Sequence, residues 1–122
     1  MRFAPGEFYH IVNRGVDNKV IFPRKQDYER FLKSLRDFNT PLSIELRRLP
    51  AEIVSPRGRD RQLVNILSYC LMKNHIHLLI HVTKAEHASL FLQKIFIGYT
   101  MYFNGIYKRK GVLFQGKAKA IH

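Results

Sequence analysis

Two neighbouring apolar segments joined by a two-residue turn constrain the fold of this sequence more than any other feature. Residues 63–72 read LVNILSYCLM and residues 75–82 read HIHLLIHV. Both segments are short and rich in the side chains that strands prefer. The two residues between them, Lys73 and Asn74, suit a tight hairpin turn. The sequence therefore predicts a pair of antiparallel strands in the middle of the chain.

The flanking segments predict the remaining elements. EFYHIVNR, residues 7–14, is rich in aromatic and β-branched side chains and predicts a first strand. Apolar residues at helical spacing predict helices over about 24–38 and about 86–107. VLFQGKAKAIH, residues 112–122, is predicted to form a last strand. The order β-α-β-β-α-β predicts an α+β fold of the ferredoxin-like, split βαβ type, with both helices on one face of an antiparallel sheet.

The length and composition predict one domain that spans residues 1–122. Hydrophobic residues make up 46% of the chain, which is enough for one core. Residues 40–62 contain three prolines and several arginines, so we interpret them as a basic loop insertion.

The charge points to a polyanionic partner. The chain has 21 lysines and arginines against 9 acidic residues, and its formal net charge is +12. Nucleic acid is the first candidate for such a basic domain. A basic surface that only keeps the protein in solution is the alternative.

The single cysteine, Cys70, excludes an intrachain disulfide and favours a reducing, cytoplasmic location. We expect Cys70 to be a small buried side chain of its strand. No apolar region typical of a signal peptide follows the N-terminal arginine, and no segment is apolar enough to predict a membrane span.

Three histidines lie in the second strand of the predicted hairpin. Side chains alternate across a strand, so His75, His77 and His81 share one face and the aliphatic residues between them share the other. In the predicted fold the histidine face has no helices over it. His75 and His77 stand about 6–7 Å apart along a strand and can converge on one divalent metal. The alternative is a pair of half-exposed histidines on a wet surface, and His81 suits a position at the rim.

Three segments carry a resemblance to a known family. FYHIVNRG at 8–15, YCLMKNHIHLLI at 69–80 and GVLFQGKAKAI at 111–121 together resemble the single-tyrosine HUH transposases. These include the REP-associated tyrosine transposases and the transposases of single-strand insertion sequences. The motif itself is His75-Ile76-His77, and the similar segments cover nearly the whole chain in the order found in the family.

The resemblance implies a metal site and a DNA partner. It implies that His75 and His77 bind Mg²⁺ or Mn²⁺, and that the partner is single-stranded hairpin DNA. Members of the family cut that DNA with a tyrosine nucleophile, form a 5′-phosphotyrosine link and rejoin the strand. The family's nucleophilic tyrosine lies on a further helix after the strand that matches FQGKAKAI, and this chain stops at His122. We therefore expect a fragment with no catalytic residue of its own.

The tyrosines of the predicted second helix do not replace that nucleophile. The apolar stripe of the helix accounts for at least two of Tyr99, Tyr102 and Tyr107 as core residues. The sequence leaves the oligomeric state open between a monomer and a homodimer, and a homodimer would lack the missing helix in both subunits.

Basic and polar residues near the ends of the predicted elements are candidate DNA contacts. They are Asn13, Arg14, Lys19, Lys108, Arg109, Lys110, Lys117 and Lys119. Each is about as consistent with a solvated surface residue as with a phosphate contact.

Two other functions use the same fold. One is a non-catalytic module that binds DNA or RNA, which the absent nucleophile favours. The other is a metal-independent ribonuclease with a histidine base, which predicts a glycine-rich RNA-binding loop that this sequence lacks. Fold alone does not decide among them.

Overall fold

A four-stranded antiparallel sheet and two long helices form the part of the chain that the computed structural model describes, residues 2–40 and 62–122. The elements in chain order are β1 (Phe8–Arg14), α1 (Lys25–Asp37), β2 (Val64–Met72), β3 (His75–Val82), α2 (Ala85–Ile106) and β4 (Lys119–Ile121). The strand order is β2-β3-β1-β4, with β3 between the two strands that α1 connects. This confirms the predicted α+β architecture. The predicted basic loop at 40–62 lies almost wholly outside the described residues.

Alternating burial along β3 shows which face of the sheet the helices cover. Ile76, Leu78, Ile80 and Val82 are buried, whereas the residues between them are only partly buried. Strand β1 alternates in the same way, and Ile11 lies on the covered side. Aliphatic side chains at every second position therefore form one floor of the core, as the sequence predicted for β3.

Aromatic rings from both helices meet above that floor. The ring of Phe31 in α1 lies 5.4 Å from that of Tyr99 in α2, edge to face, and both pack with Phe22. All three side chains are almost completely buried. Such ring pairs add to the free energy gained from burial, and they hold both helices on the same face of the sheet. The histidines of β3 therefore lie on the opposite face of the sheet, which we call the open face.

The last strand is shorter than predicted. We expected a strand over 112–122, but β4 contains only Lys119–Ile121, and Phe114 makes an isolated bridge to Gly15. The backbone of Gly116 has a φ of +72°, which extended strands do not allow. This bend lets the side chain of Phe114 enter the core instead of continuing the ladder.

The expectation that Cys70 is buried was wrong. Cys70 is exposed, because it pairs with His77 across the strands and so shares the open face with it. Separately, none of the helices within the described residues combines the length and the apolar character that a membrane crossing requires.

Candidate metal and nucleic-acid site

The pairing of the strands arranges polar side chains of the open face in rows. Two rows cross the sheet near the turn that joins β2 and β3. One row is Cys70, His77, Val12 and Lys119, and the other is Met72, His75 and Arg14. Each row contains a histidine of β3 and a cation that is distant in sequence: Arg14 is directly opposite His75, and Lys119 is one strand beyond Val12. The rows show how two of the candidate DNA contacts come near the histidine pair.

The two histidines of the motif are close to each other and each is held by a neighbour. The ring centroids of His75 and His77 are 4.9 Å apart, edge to face. Nδ1 of His75 lies 2.8 Å from the side-chain oxygen of Asn74. Nδ1 of His77 lies 2.8 Å from Nε2 of His10, which comes from β1. Both rings are therefore held through the same nitrogen.

These contacts bear on which ring nitrogen can accept a metal. An amide oxygen only accepts hydrogen bonds, so Nδ1 of His75 carries the proton and donates it to Asn74. The lone pair of a neutral His75 is then on Nε2. Among residues 2–40 and 62–122, no hydrogen bond engages Nε2 of His75 or of His77. Metal-binding histidines typically have this arrangement, with one nitrogen on the ion and the other on a protein partner.

The surroundings of His77 favour its neutral form. Burial lowers the pKa of His77 below its usual value, and the charges of His75 and His10 lower it further. A metal ion binds only the unprotonated imidazole. The shift therefore keeps His77 in the form that could bind a metal at neutral pH.

The donor set is incomplete for a closed metal site. No group of three or more His, Cys, Asp or Glu side chains in the described part of the chain could hold a metal ion. Two imidazoles fit Mn²⁺ better than Mg²⁺, which prefers oxygen ligands. An ion held by His75 and His77 would take its remaining ligands from water or from a bound phosphate.

Two of the eight predicted DNA contacts lie in the strand rows of the histidines. Arg14 and Lys119 are exposed and lie in the rows that contain His75 and His77. Asn13 is only 5% exposed and lies on the covered side of β1, since its neighbours in the strand alternate with it. The structure therefore does not bring Asn13 to the open face.

The other predicted basic contacts are not in the strand rows that contain His75 and His77. Lys19 places its ammonium 5.8 Å from the ring centroid of Phe103. The guanidinium of Arg109 donates to the side chain of Asn104 and to the carbonyl of Val112, which ties together the segment after α2. The remaining three are exposed and precede β4 without belonging to a strand. They are Lys108, Lys110 and Lys117.

Three tyrosines in or directly after α2 are engaged on the covered side of the sheet. The hydroxyl of Tyr99 donates to the carbonyl of Ile21, and the hydroxyls of Tyr102 and Tyr107 donate to Asp27. Burial raises the pKa of each of these tyrosines, and the charge of Asp27 raises it further. Their hydroxyls therefore stay protonated and do not face the histidine pair.

The other three tyrosines also lie off the open face. Tyr9 is buried on the covered side of β1, and Tyr28 stacks on Phe22. Tyr69 pairs with Leu78, a buried residue of β3, and so points to the covered side at the sheet edge. The chain has six tyrosines, and none reaches the histidine pair from these positions.

Two residues of the site, His10 and Asn74, were missed in the sequence. His10 lies between Tyr9 and Ile11 and so has the strand parity of the open face, which is a signal that could have identified it. Asn74 was assigned only to the turn. His81, predicted to be a rim residue, contacts the ring of Phe8 and the side chain of Asn65 at the far end of the open face.

Comparisons with known proteins add no relative. No protein-family model matches the chain, and no curated protein matches it. The geometry of the open face and the motif residues themselves therefore carry the functional assignment.

Proposed function

We propose that this chain is an HUH-type transposase domain that binds single-stranded hairpin DNA on its open face and holds Mn²⁺ or Mg²⁺ between His75 and His77. The observation that carries the proposal is the arrangement of the two histidines. Both lie on the uncovered face, and both are held through Nδ1, which leaves Nε2 for a metal. In the family that the motif resembles, such a site nicks and rejoins DNA through a 5′-phosphotyrosine link.

The residues around the pair suit a phosphate of a DNA strand. Arg14 lies opposite His75, and Lys119 lies beyond Val12 in the row of His77. Cations at these positions would hold a phosphate against the histidines, and the net charge of +12 would draw the strand to the domain. A divalent ion bound there would neutralise charge on the phosphate and act as a Lewis acid.

The second candidate is a non-catalytic module that binds DNA or RNA with the same face. The positions of the tyrosines favour it, because all six lie away from the histidine pair. Both candidates share the nucleic-acid surface. They differ in whether the histidines bind a metal and in whether the strand must form a hairpin.

A metal titration tests the site. Mn²⁺ should raise the melting temperature of the chain, because a ligand that binds only the folded state stabilises it. The double variant His75→Ala, His77→Ala should lose this rise. The matched control His87→Ala, His122→Ala removes the same number of imidazoles elsewhere and should keep it. An equal rise in both double variants would show that the ion binds somewhere else.

A competition experiment tests the DNA partner. A hairpin with a single-stranded flank should displace a labelled probe at lower concentration than an unstructured strand of equal length. Both should weaken as salt is added, since phosphate contacts release counterions. Equal affinity for the two competitors would leave only charge attraction and would favour the second candidate.

A further inference from the structure

We infer that His10 is a positioning residue for His77: it accepts a hydrogen bond from Nδ1–H of His77 and so keeps Nε2 of that ring unprotonated. The inference rests on the proposed metal site and deepens it. It assigns a role to a residue 67 positions away from His77 in sequence. The contact with His77 occupies Nε2 of His10, so that nitrogen is not a metal ligand in this arrangement.

The geometry limits the pair to two arrangements. The rings are nearly parallel, with an angle of 26° between their planes and 5.0 Å between centroids. Nε2 of His10 and Nδ1 of His77 are 2.8 Å apart, so a hydrogen bond between the rings in their neutral forms places one proton between these two atoms. If His77 donates that proton, its lone pair is on Nε2. If His10 donates it, His77 carries its own proton on Nε2 and cannot bind a metal through that atom.

Metal binding and the first arrangement require each other. An ion on Nε2 of His77 leaves Nδ1 as the protonated nitrogen, and the acceptor on His10 satisfies that proton. An acceptor at this position also makes the ligand nitrogen more basic. A contact that raises the fraction of metal-free molecules in the first arrangement strengthens metal binding in proportion to that fraction.

His75 makes the same kind of contact through Nδ1, with a different acceptor. Asn74 accepts from Nδ1 of His75 and leaves Nε2 of that ring as the unprotonated atom. The two rings of the motif would then have matching tautomers, although one partner comes from the turn and the other from β1. The two contacts engage Nδ1 of both rings, which is the arrangement that one ion shared by the two Nε2 atoms requires.

Three variants test the role of His10. His10→Phe keeps a ring of similar size and removes the acceptor, whereas His10→Gln supplies an amide oxygen in its place. His81→Phe is the control, because it changes a histidine on the same face that does not contact His77. Long-range ¹H–¹⁵N NMR of the metal-free proteins above pH 7.5 reports which nitrogen of His77 is protonated. Calorimetric titration gives the affinity for Mn²⁺, and circular dichroism checks that each variant is folded.

The wild type should show His77 protonated on Nδ1, as should His10→Gln and His81→Phe. His10→Phe should move that proton to Nε2 and weaken Mn²⁺ binding by about 10- to 100-fold. His10→Gln should restore most of the affinity. A wild-type His77 that is protonated on Nε2 would overturn the inference without any variant, as would equal losses of affinity in His10→Phe and His10→Gln.

The two readouts separate this inference from the proposed function. If neither the wild type nor any variant binds Mn²⁺, but His10→Phe still changes the tautomer of His77, the positioning role stands and the metal site fails. If Mn²⁺ binds the wild type and His10→Phe equally well, the metal site stands and the role of His10 is overturned.

Discussion

The hydroxyl of Tyr107 donates a hydrogen bond of 2.5 Å to the carboxylate of Asp27, a residue 80 positions away in sequence. Asp27 is completely buried at the first turn of α1, where it also accepts from Tyr102 at 2.7 Å and from the backbone N–H of Arg24 at 3.0 Å. The contact joins the start of α1 to the end of α2. It therefore holds together the helical layer that leaves the other face of the sheet open.

Removing the two hydroxyls should destabilise the fold. In the variant Tyr102→Phe, Tyr107→Phe the buried carboxylate loses two hydrogen bonds, each worth about 1.5–3 kcal/mol when one partner is charged. Denaturant unfolding at pH 7 measures the loss. Tyr28→Phe is the control: its ring also packs in the aromatic core, on Phe22, and it should change stability by less than about 0.5 kcal/mol. Similar losses in both proteins would show that Asp27 contributes little.

The carboxylate of Asp27 should also make the stability of the fold depend on pH. Burial alone would raise the pKa of Asp27, but hydrogen bonds from Tyr107, Tyr102 and Arg24 outweigh it and lower the pKa below its usual value. The contribution is therefore complete above the unfolded-state pKa of about 3.9 and is lost as the pH falls through the lower, folded-state value. Asp27→Asn should flatten this part of the stability curve in unfolding measurements between pH 7 and pH 2. An unchanged curve would contradict the prediction.

Two glycine substitutions should have opposite effects. A Cβ at Gly15 would overlap the carbonyl oxygen of Lys19, so Gly15→Ala should destabilise the fold by about 1–3 kcal/mol. A Cβ at Gly105 in α2 would meet no atom of the described residues within 4 Å. Gly105→Ala should therefore stabilise the helix, by up to about 1 kcal/mol. Thermal unfolding of the two variants is the measurement, and a stabilising Gly15→Ala would show that the turn after β1 is not tightly packed.

Two cations of the open face should account for part of the salt dependence of DNA binding. The double variant Arg14→Gln, Lys119→Gln should bind DNA with a shallower salt dependence. The slope of log affinity against log salt concentration should fall by about 0.7 for each phosphate that the variant no longer neutralises. Lys25→Gln, Lys33→Gln removes the same charge from α1, where the two lysines pair with Glu29 and Asp37. Fluorescence anisotropy at several salt concentrations gives both slopes. Equal slopes would mean that the open face is not the DNA surface.

Covalent chemistry should be absent from this chain. Forming a phosphotyrosine link needs a tyrosine hydroxyl in line with the scissile bond and next to the metal. All six tyrosines lie off the open face. Incubation with Mn²⁺ and labelled hairpin DNA should give no protein–DNA adduct on a denaturing gel. An adduct would contradict this, and phenylalanine variants of Tyr99, Tyr102 and Tyr107 would then show which residue forms it.

Local patterns in the sequence determined the order of elements and the face of each residue in β3. Both helices begin and end within one residue of the predicted bounds. The apolar side chains of each helix recur with a period of about 3.6 residues, and this local pattern marks the extent of the helix. Residues 75–82 alternate between histidine or leucine and buried aliphatic residues, and the two-residue period of a strand places the histidines on one face. These properties depend only on neighbours in the chain, and so a single sequence is enough to predict them.

Only the tertiary structure decided what lies beside those histidines. The contact between His10 and His77 and the exposure of Cys70 follow from the pairing of strands, which depends on how helices and sheet pack as a whole. Packing also turned Tyr102 and Tyr107 toward Asp27 and brought Phe114 into the core ahead of the short β4. The chemistry of the candidate site depends on contacts between residues far apart in sequence, and no local pattern specifies them.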